Sequence, residues 1–305
     1  EGEDIDSWVG REAVRWLAQH DQSKPFYLQV QFTGPHDPYD GPQSFRDQYD
    51  VSTIDPGITD IPSGGSPIVR ARLAGSQSII GASTQQRQQW RVNYYANITL
   101  IDAWVGRILE QLAAADQLDN TWVVFTSDHG EMLGDHGLWS KANFYSQSVQ
   151  VPCVVRPASD EFEKRSGWQS RALVQQIDVP VTLNDIAGAS PLPGVQGESL
   201  ARFVRREPGD DDAHRGHDCV LSELFGQSTL ITDDYKLTVR VDDHKPAQLF
   251  DSGNDPDELM DDLLSDNGGL AQSLTETYLQ PLADAINRDQ LNDYRQYVRE
   301  TGQIN

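Results

Sequence analysis

Two spacings of apolar residues alternate along this chain, and each predicts its own kind of element. Ile5, Val9, Ala13, Trp16 and Leu17 recur every three or four positions, so a helix is predicted from an Asp4 or Asp6 cap to about Gln19. Lys24-Pro25 breaks it, and Phe26 to Phe32 reads as a strand. Helical spacing returns from Thr84 to Ala115, where Trp90, Tyr94, Asn97, Ile98, Ile101, Val105, Ile108, Leu109 and Leu112 mark one buried side. Thr121 to Thr126 is a β-branched and aromatic run suited to a sheet interior, and Val151 to Val155 is another strand, with Cys153 as a small buried hydrophobe. Arg171 to Ala187 is helical in pattern, bent or restarted at Pro180.

Between these elements the pattern lapses twice. Residues 40–83 are rich in Pro, Gly, Ser and Asp, an excursion of the length that shapes a cleft, with helix predicted only near Ile68 to Leu73. Glu207 to Asp218 is a charged bridge. Beyond it Cys219 to Phe225, Ser228 to Thr232, Tyr235 to Val241 and Gln248 to Phe250 read as strands, with a hairpin turn at Asp233-Asp234 and a helix from Leu270 to Arg288. The expectation is an α/β chain in two parts. Residues 1–206 form a mostly parallel sheet flanked by helices, and 207–305 a small antiparallel subdomain backed by a helix.

Composition narrows the partners. Lys plus Arg number 24 against 47 Asp plus Glu, a formal charge of -23 that repels nucleic acid and anionic lipid. No stretch is apolar enough to span a bilayer, and the compartment is left open between cytoplasm and periplasm. Cys153 and Cys219 could pair with each other, but neither sits in a metal-type cluster. The acidic run from Asp251 to Asp266 lacks the spacing of a calcium loop. The chain opens at Glu1 without Met and runs straight into helix, which reads as a processed or incomplete product.

The chemistry concentrates at two turns. Ser127-Asp128-His129-Gly130 ends the central strand, where open α/β sheets put their sites. An Asp oxygen and a His nitrogen there admit zinc, manganese or, less comfortably, calcium, with further ligands needed from elsewhere. The other turn is Thr33-Gly-Pro-His-Asp-Pro-Tyr39, whose two prolines stiffen the backbone on either side of His36. His36, His136 and Lys141 could converge on an anion beside the metal, stabilising charge that grows on a transferred sulfuryl or phosphoryl group. No Gly-x-Ser-x-Gly elbow occurs. The residues alone predict metal-assisted hydrolysis of an anionic ester.

FYLQVQFTGPHDPY at 26–39, DNTWVVFTSDHG with GDHGLWSK at 119–141, SVQVPCVVR at 148–156 and Leu249-Phe-Asp251 with Asp255-Pro-x-Glu258 resemble the sulfatases of the alkaline phosphatase superfamily. The resemblance implies that Asp128 and His129 bind a divalent cation, Ca2+ first and Mn2+ second. It implies that His36 contacts the sulfate and its leaving oxygen and that Lys141 grips the sulfate. A small sulfated ester is the implied substrate, and a homo-oligomer is left open. Having His at 129, where many of these enzymes have Asn, is similar to choline sulfatases, iduronate sulfatases and phosphonate monoester hydrolases. The family's formylglycine motif, Cys/Ser-x-Pro-x-Arg, does not occur in the chain. The expectation is therefore a C-terminal portion of a sulfatase, inactive alone and exposing a sheet strand, whose partner is an N-terminal portion that carries formylglycine. The alternatives are a phosphonate monoester hydrolase or phosphodiesterase of the superfamily, and a non-catalytic metal-binding remnant.

Overall fold

The computed structural model describes residues 4–158, 167–191, 194–205, 216–241, 243, 245–265 and 267–280. Helix α1, Ile5–Gln19, starts where Asp4 accepts a hydrogen bond from the Ser7 amide at 2.7 Å. Its buried stripe is Asp6, Gly10, Ala13 and Leu17, turned away from Ile5, which is 64% exposed. The cause is Gly10. Any side chain there would collide with the Trp104 ring on the next long helix, so the small-residue stripe is what packs. Phe26 to Phe32, predicted as a strand, joins no sheet among the described residues.

The excursion at 40–83 holds three short α-helices, α2 (Gln43–Arg46), α3 (Pro67–Gly75) and α4 (Gln77–Ile80), and a 3-10 turn at Val51–Thr53. It leads into α5, Thr84–Ala114, opened by a reciprocal cap in which Ser83 and Gln86 each bond the other's backbone amide. Such a cap contributes about 1 kcal/mol. Strand β1, Val123–Thr126, then pairs with β2, Cys153–Arg156, in register Val123↔Arg156 to Thr126↔Cys153.

That pair is antiparallel, and so are all the pairs of the second sheet, which corrects the mostly parallel sheet expected above. A parallel pair needs a crossover, usually a helix of a dozen residues or so. Between β1 and β2 the only α-helix among the described residues is the four-residue α6, Ser146–Val149, so the chain folds back on itself instead. Cys153 is exposed, correcting its expected burial, and both cysteines are free. Helix α7 is Asp178–Ile186; the predicted turns before it, from Arg171, are not helical. Helix α8 is Ala201–Arg205.

The second sheet follows its sequence pattern closely. Strands β3 (Val220–Leu224), β4 (Gln227–Ile231), β5 (Tyr235–Arg240) and β6 (Pro246–Asp251) form an antiparallel meander in chain order. Leu230, Leu237, Val239 and Leu249 face helix α9, Gly268–Leu274, and the turn Thr275–Leu279 that continues it. Period-2 alternation turns Lys236, Thr238 and Phe250 to the other face. There Phe250 joins Val69, Met132, Leu138 and Tyr145 in one core cluster. Most of the predicted bridge at 207–218, and the predicted helix beyond 280, lie outside the described residues. No described helix is long and apolar enough to cross a membrane.

Candidate active site

The turn after β1 is fastened from two sides. Gly130 donates to the Ser148 carbonyl at 2.8 Å and sits against the Gln147 carbonyl, where a Cβ would collide. The Gln176 side-chain amide donates to the Ser127 carbonyl, and to the Asp128 carbonyl at 2.7 Å. Gln176 gave no signal in the sequence, because an amide within the helix predicted from Arg171 to Ala187 looks like any solvated residue.

From Leu133 to Ala142 the backbone is repeatedly left-handed, at Leu133, Gly134, His136, Gly137, Ser140 and Ala142. Non-glycine residues in that region cost on the order of 1 kcal/mol each and gather where function demands a fixed geometry. Five contacts hold the loop in this shape. Met132 donates to the Ser140 carbonyl at 3.1 Å, and Glu131 accepts from the Leu133 amide at 3.0 Å. Asp135 accepts from the Ile58 amide at 2.9 Å and pairs with Arg91, and Arg87 donates to the Gly134 carbonyl at 2.7 Å. Among the groups packed here, burial and then the Glu131 charge push the Tyr94 phenol up to about 12 and raise Tyr39 as well, so both stay protonated.

The loop ends by delivering Lys141, whose Nζ contacts His36 Nε2. His36 Nδ1 lies 3.0 Å from the Asp37 carbonyl, which can only accept, so Nδ1 carries the proton and Nε2 the lone pair that Lys141 meets. The His129 ring is 6.0 Å from that of His36, centroid to centroid, and its Nδ1 in turn donates to the Gly130 carbonyl at 2.9 Å. His36, His129 and Lys141 thus share one patch of surface. The Asp128 carboxylate lies at its edge, 85% exposed, 3.7 Å from His129 Nε2 and bonded to the His129 amide.

His136 takes a different position. It is fully buried at 0% exposure and stacks on Tyr145 at 4.4 Å with both ring nitrogens unpartnered. Burial holds its pKa below the usual imidazole range, against the opposing charges of Glu258, Asp135, Asp257 and Asp255.

The expected Ca2+ or Mn2+ site is not supported. Asp128 and His129 offer two donors, and among the described residues no group of three or more His, Cys, Asp or Glu side chains gathers to hold an ion. Asp128 Oδ1 is instead committed to its own turn, accepting from the His129 amide at 2.9 Å.

Two carboxylates to which sequence reading assigned no part in the site support the patch from behind. Asp6 binds the turn that carries His36. Glu258 accepts from the Ser146 amide at 2.8 Å and pairs with buried Lys236, so β5 fixes the start of α6 and through it the Gly130 turn. The signal for Asp6 was a carboxylate between Ile5 and Val9 on a helix of otherwise apolar face. Glu258 stood in a quoted motif without a role.

A family model described as "Sulfatase" matches residues 2–189, and one described as "N-sulphoglucosamine sulphohydrolase, C-terminal" matches residues 134–283. The chain is 30% identical over 260 residues to an arylsulfatase of Clostridium perfringens, covering 83% of this chain and 52% of that protein. It is 31% identical over 255 residues to a choline-sulfatase of Rhizobium meliloti, covering 77% of this chain and 46% of that one. The solved phosphonate monoester hydrolase of Agrobacterium radiobacter superposes with a TM-score of 0.78 at 22% identity, over 92% of this chain and 60% of that one. The chain therefore spans about half the length of these curated relatives. The two family models together take in almost the whole chain, beginning at residue 2. This overturns the expectation of a C-terminal portion only, and with it the separate N-terminal partner said to bring formylglycine.

Proposed function

Because the chain belongs to the sulfatase family, we propose that its surface patch of His36, His129 and Lys141 binds and helps to hydrolyse the ester of a small sulfated alcohol. The observation that carries this reading is the Lys141 ammonium seated on His36 Nε2 with the His129 ring 6.0 Å away. An ammonium and two imidazoles grouped on one patch suit a tetrahedral anion, and on a chain of charge -23 such a group is where an anion would be held.

Hydrolysis breaks the bond from sulfur to the alcohol oxygen, joins a water oxygen to sulfur and leaves one proton on the alcohol. Lys141 would turn from His36 to the sulfuryl oxygens, a stronger acceptor than imidazole. That frees Nε2 of His36 to hold the proton that the departing alkoxide needs, while Asp37 keeps Nδ1 occupied. Fixed donors aimed at the growing charge lower the barrier without having to reorganise. In this reading residues 1–206 carry the site, and 207–305 brace it through Glu258 and Lys236.

A second reading has one specific observation behind it, since His129 stands where many sulfatases have Asn. It makes the substrate a phosphonate monoester, which has the same tetrahedral anion.

Titration calorimetry with inorganic sulfate tests the site. Lys141→Ala should weaken binding about tenfold or more, the worth of one charge-assisted hydrogen bond. Equal affinity in the two proteins would sink the proposal. Rates on an aryl sulfate against an aryl phosphonate separate the two substrates.

A further inference from the structure

We infer that Asp6, on the first helix, is the positioning residue that holds His36 in register with Lys141. Its carboxylate is nearly buried and takes donors from two consecutive residues of the His36 turn. Oδ1 accepts from the Thr33 amide at 2.7 Å and the Thr33 hydroxyl at 3.0 Å, and Oδ2 from the Gly34 amide at 3.0 Å. Two residues later the turn closes on itself, the His36 amide donating to the Thr33 carbonyl at 3.3 Å. The next polar contact along the path is His36 Nε2 with Lys141.

Each end of this path is fixed. On the helix side, Gly10 lies against Trp104, whose Nε1 donates to the Ser7 hydroxyl at 3.2 Å, so α1 cannot slide on α5. On the turn side, Gly34 approaches Asp6 so closely that a Cβ there would collide with the carboxylate. Phe26 to Phe32, which leads into the turn, has no strand partner among the described residues. The direction in which His36 leaves the backbone is therefore set at Thr33 and Gly34 by Asp6. A carboxylate suits this task because it accepts from several donors at once, and removing it would take that partner from the Thr33 and Gly34 amides together. Small displacements of a substrate-binding group are costly in affinity and rate, so a rigid post behind a histidine has a direct functional value.

The inference rests on the proposed anion site, and the experiment separates the two. Asp6→Asn and Gly34→Ala break the contact from opposite sides, and Thr33→Val removes only the hydroxyl donor. All are made in the full chain. Each is followed by sulfate calorimetry, by urea unfolding and by the NMR signal of the His36 ring, assigned from its loss in His36→Gln. In both Asp6→Asn and Gly34→Ala the His36 signal should move, and sulfate affinity should fall roughly tenfold, well inside the hundredfold that a small misplacement can cost. Thr33→Val, which keeps both amide donors to Asp6, should lose only about threefold. A folded Asp6→Asn protein with wild-type sulfate affinity and an unmoved His36 signal would overturn the inference. If Asp6→Asn fails to fold, Gly34→Ala and Thr33→Val decide by the same two readouts. Should wild type and Lys141→Ala bind sulfate equally, the anion site fails, while the His36 signal still decides for or against Asp6.

Discussion

The two sheets of this molecule are built to opposite specifications. The four-stranded sheet is covered on both faces, by α9 on one and by the loop core around Tyr145 on the other, and Leu237 and Leu249 are fully buried in it. The β1–β2 pair is four residues long on each side and leaves Phe125 41% and Val154 58% exposed. Yet the pair with the poorer cover carries the candidate site at its end. Stability and chemistry are thus held in different sheets, and the joint between them is polar: Lys236 of β5, Glu258 and Ser146 of α6.

Breaking the joint should have the largest effect. Lys236→Ala leaves the Glu258 carboxylate buried without its counter-charge and should cost about 3–5 kcal/mol in urea unfolding. Sulfate affinity should fall with it, since α6 braces the Gly130 turn. Loss of stability with unchanged affinity would show that the two sheets are independent. Next comes the covered core itself. Leu237→Ala should cost about 2–5 kcal/mol, the usual range for a buried leucine, with sulfate binding retained by the folded fraction.

The third effect depends on pH. His136 is held below its ordinary pKa of 6.5 by burial, so below that pH the unfolded chain binds the extra proton and the folded one does not. Stability should be fully present above about pH 6.5 and decline on acidification, by at most about 1.4 kcal/mol per pH unit for one group. Urea midpoints between pH 7.5 and 5 check this, and His136→Phe, which keeps an aromatic ring against Tyr145, should flatten that part of the slope. An unchanged slope in His136→Phe would remove His136 as its source. The smallest effect belongs to the open sheet. Val154→Thr should change stability by no more than about 0.5 kcal/mol, and a larger loss would mean that this face is covered in solution.

How much of this could be read beforehand differs between the same two sheets. In the second sheet the apolar runs between turn signals marked the strands, and Lys236-Leu237-Thr238-Val239 of β5 alternates, so Leu237 and Val239 announced a shared side, although burial runs unbroken along the strand. For α5 the long apolar face marked the element, and Asn97, Ile101 and Leu112 are buried as expected, although Ile98 is not. Around the first sheet, composition described each strand without saying which neighbour it would meet. Val123 to Phe125 reads the same in a parallel or an antiparallel ladder, and Phe26 to Phe32 alternates whether or not anything pairs with it. Candidate residues at turns were legible because glycine and proline are punctuation with a mechanism, as at His36 and Asp128. What orients them was not, because Asp6 and Gln176 act on backbone groups far away in the chain, and Glu258 and Lys236 reach them only through α6.

The bond from the Ser146 amide to Glu258 joins residues 112 positions apart. A ribosome adding roughly 5–20 residues per second needs about 5–20 s to travel that far. Throughout that interval α6 exists without the carboxylate that fastens it, and the Gly130 turn leans on an unfinished support. The patch is therefore among the last parts of this protein to mature, and a nascent chain stopped short of Glu258 would carry each of its residues without the brace that squares them to one another.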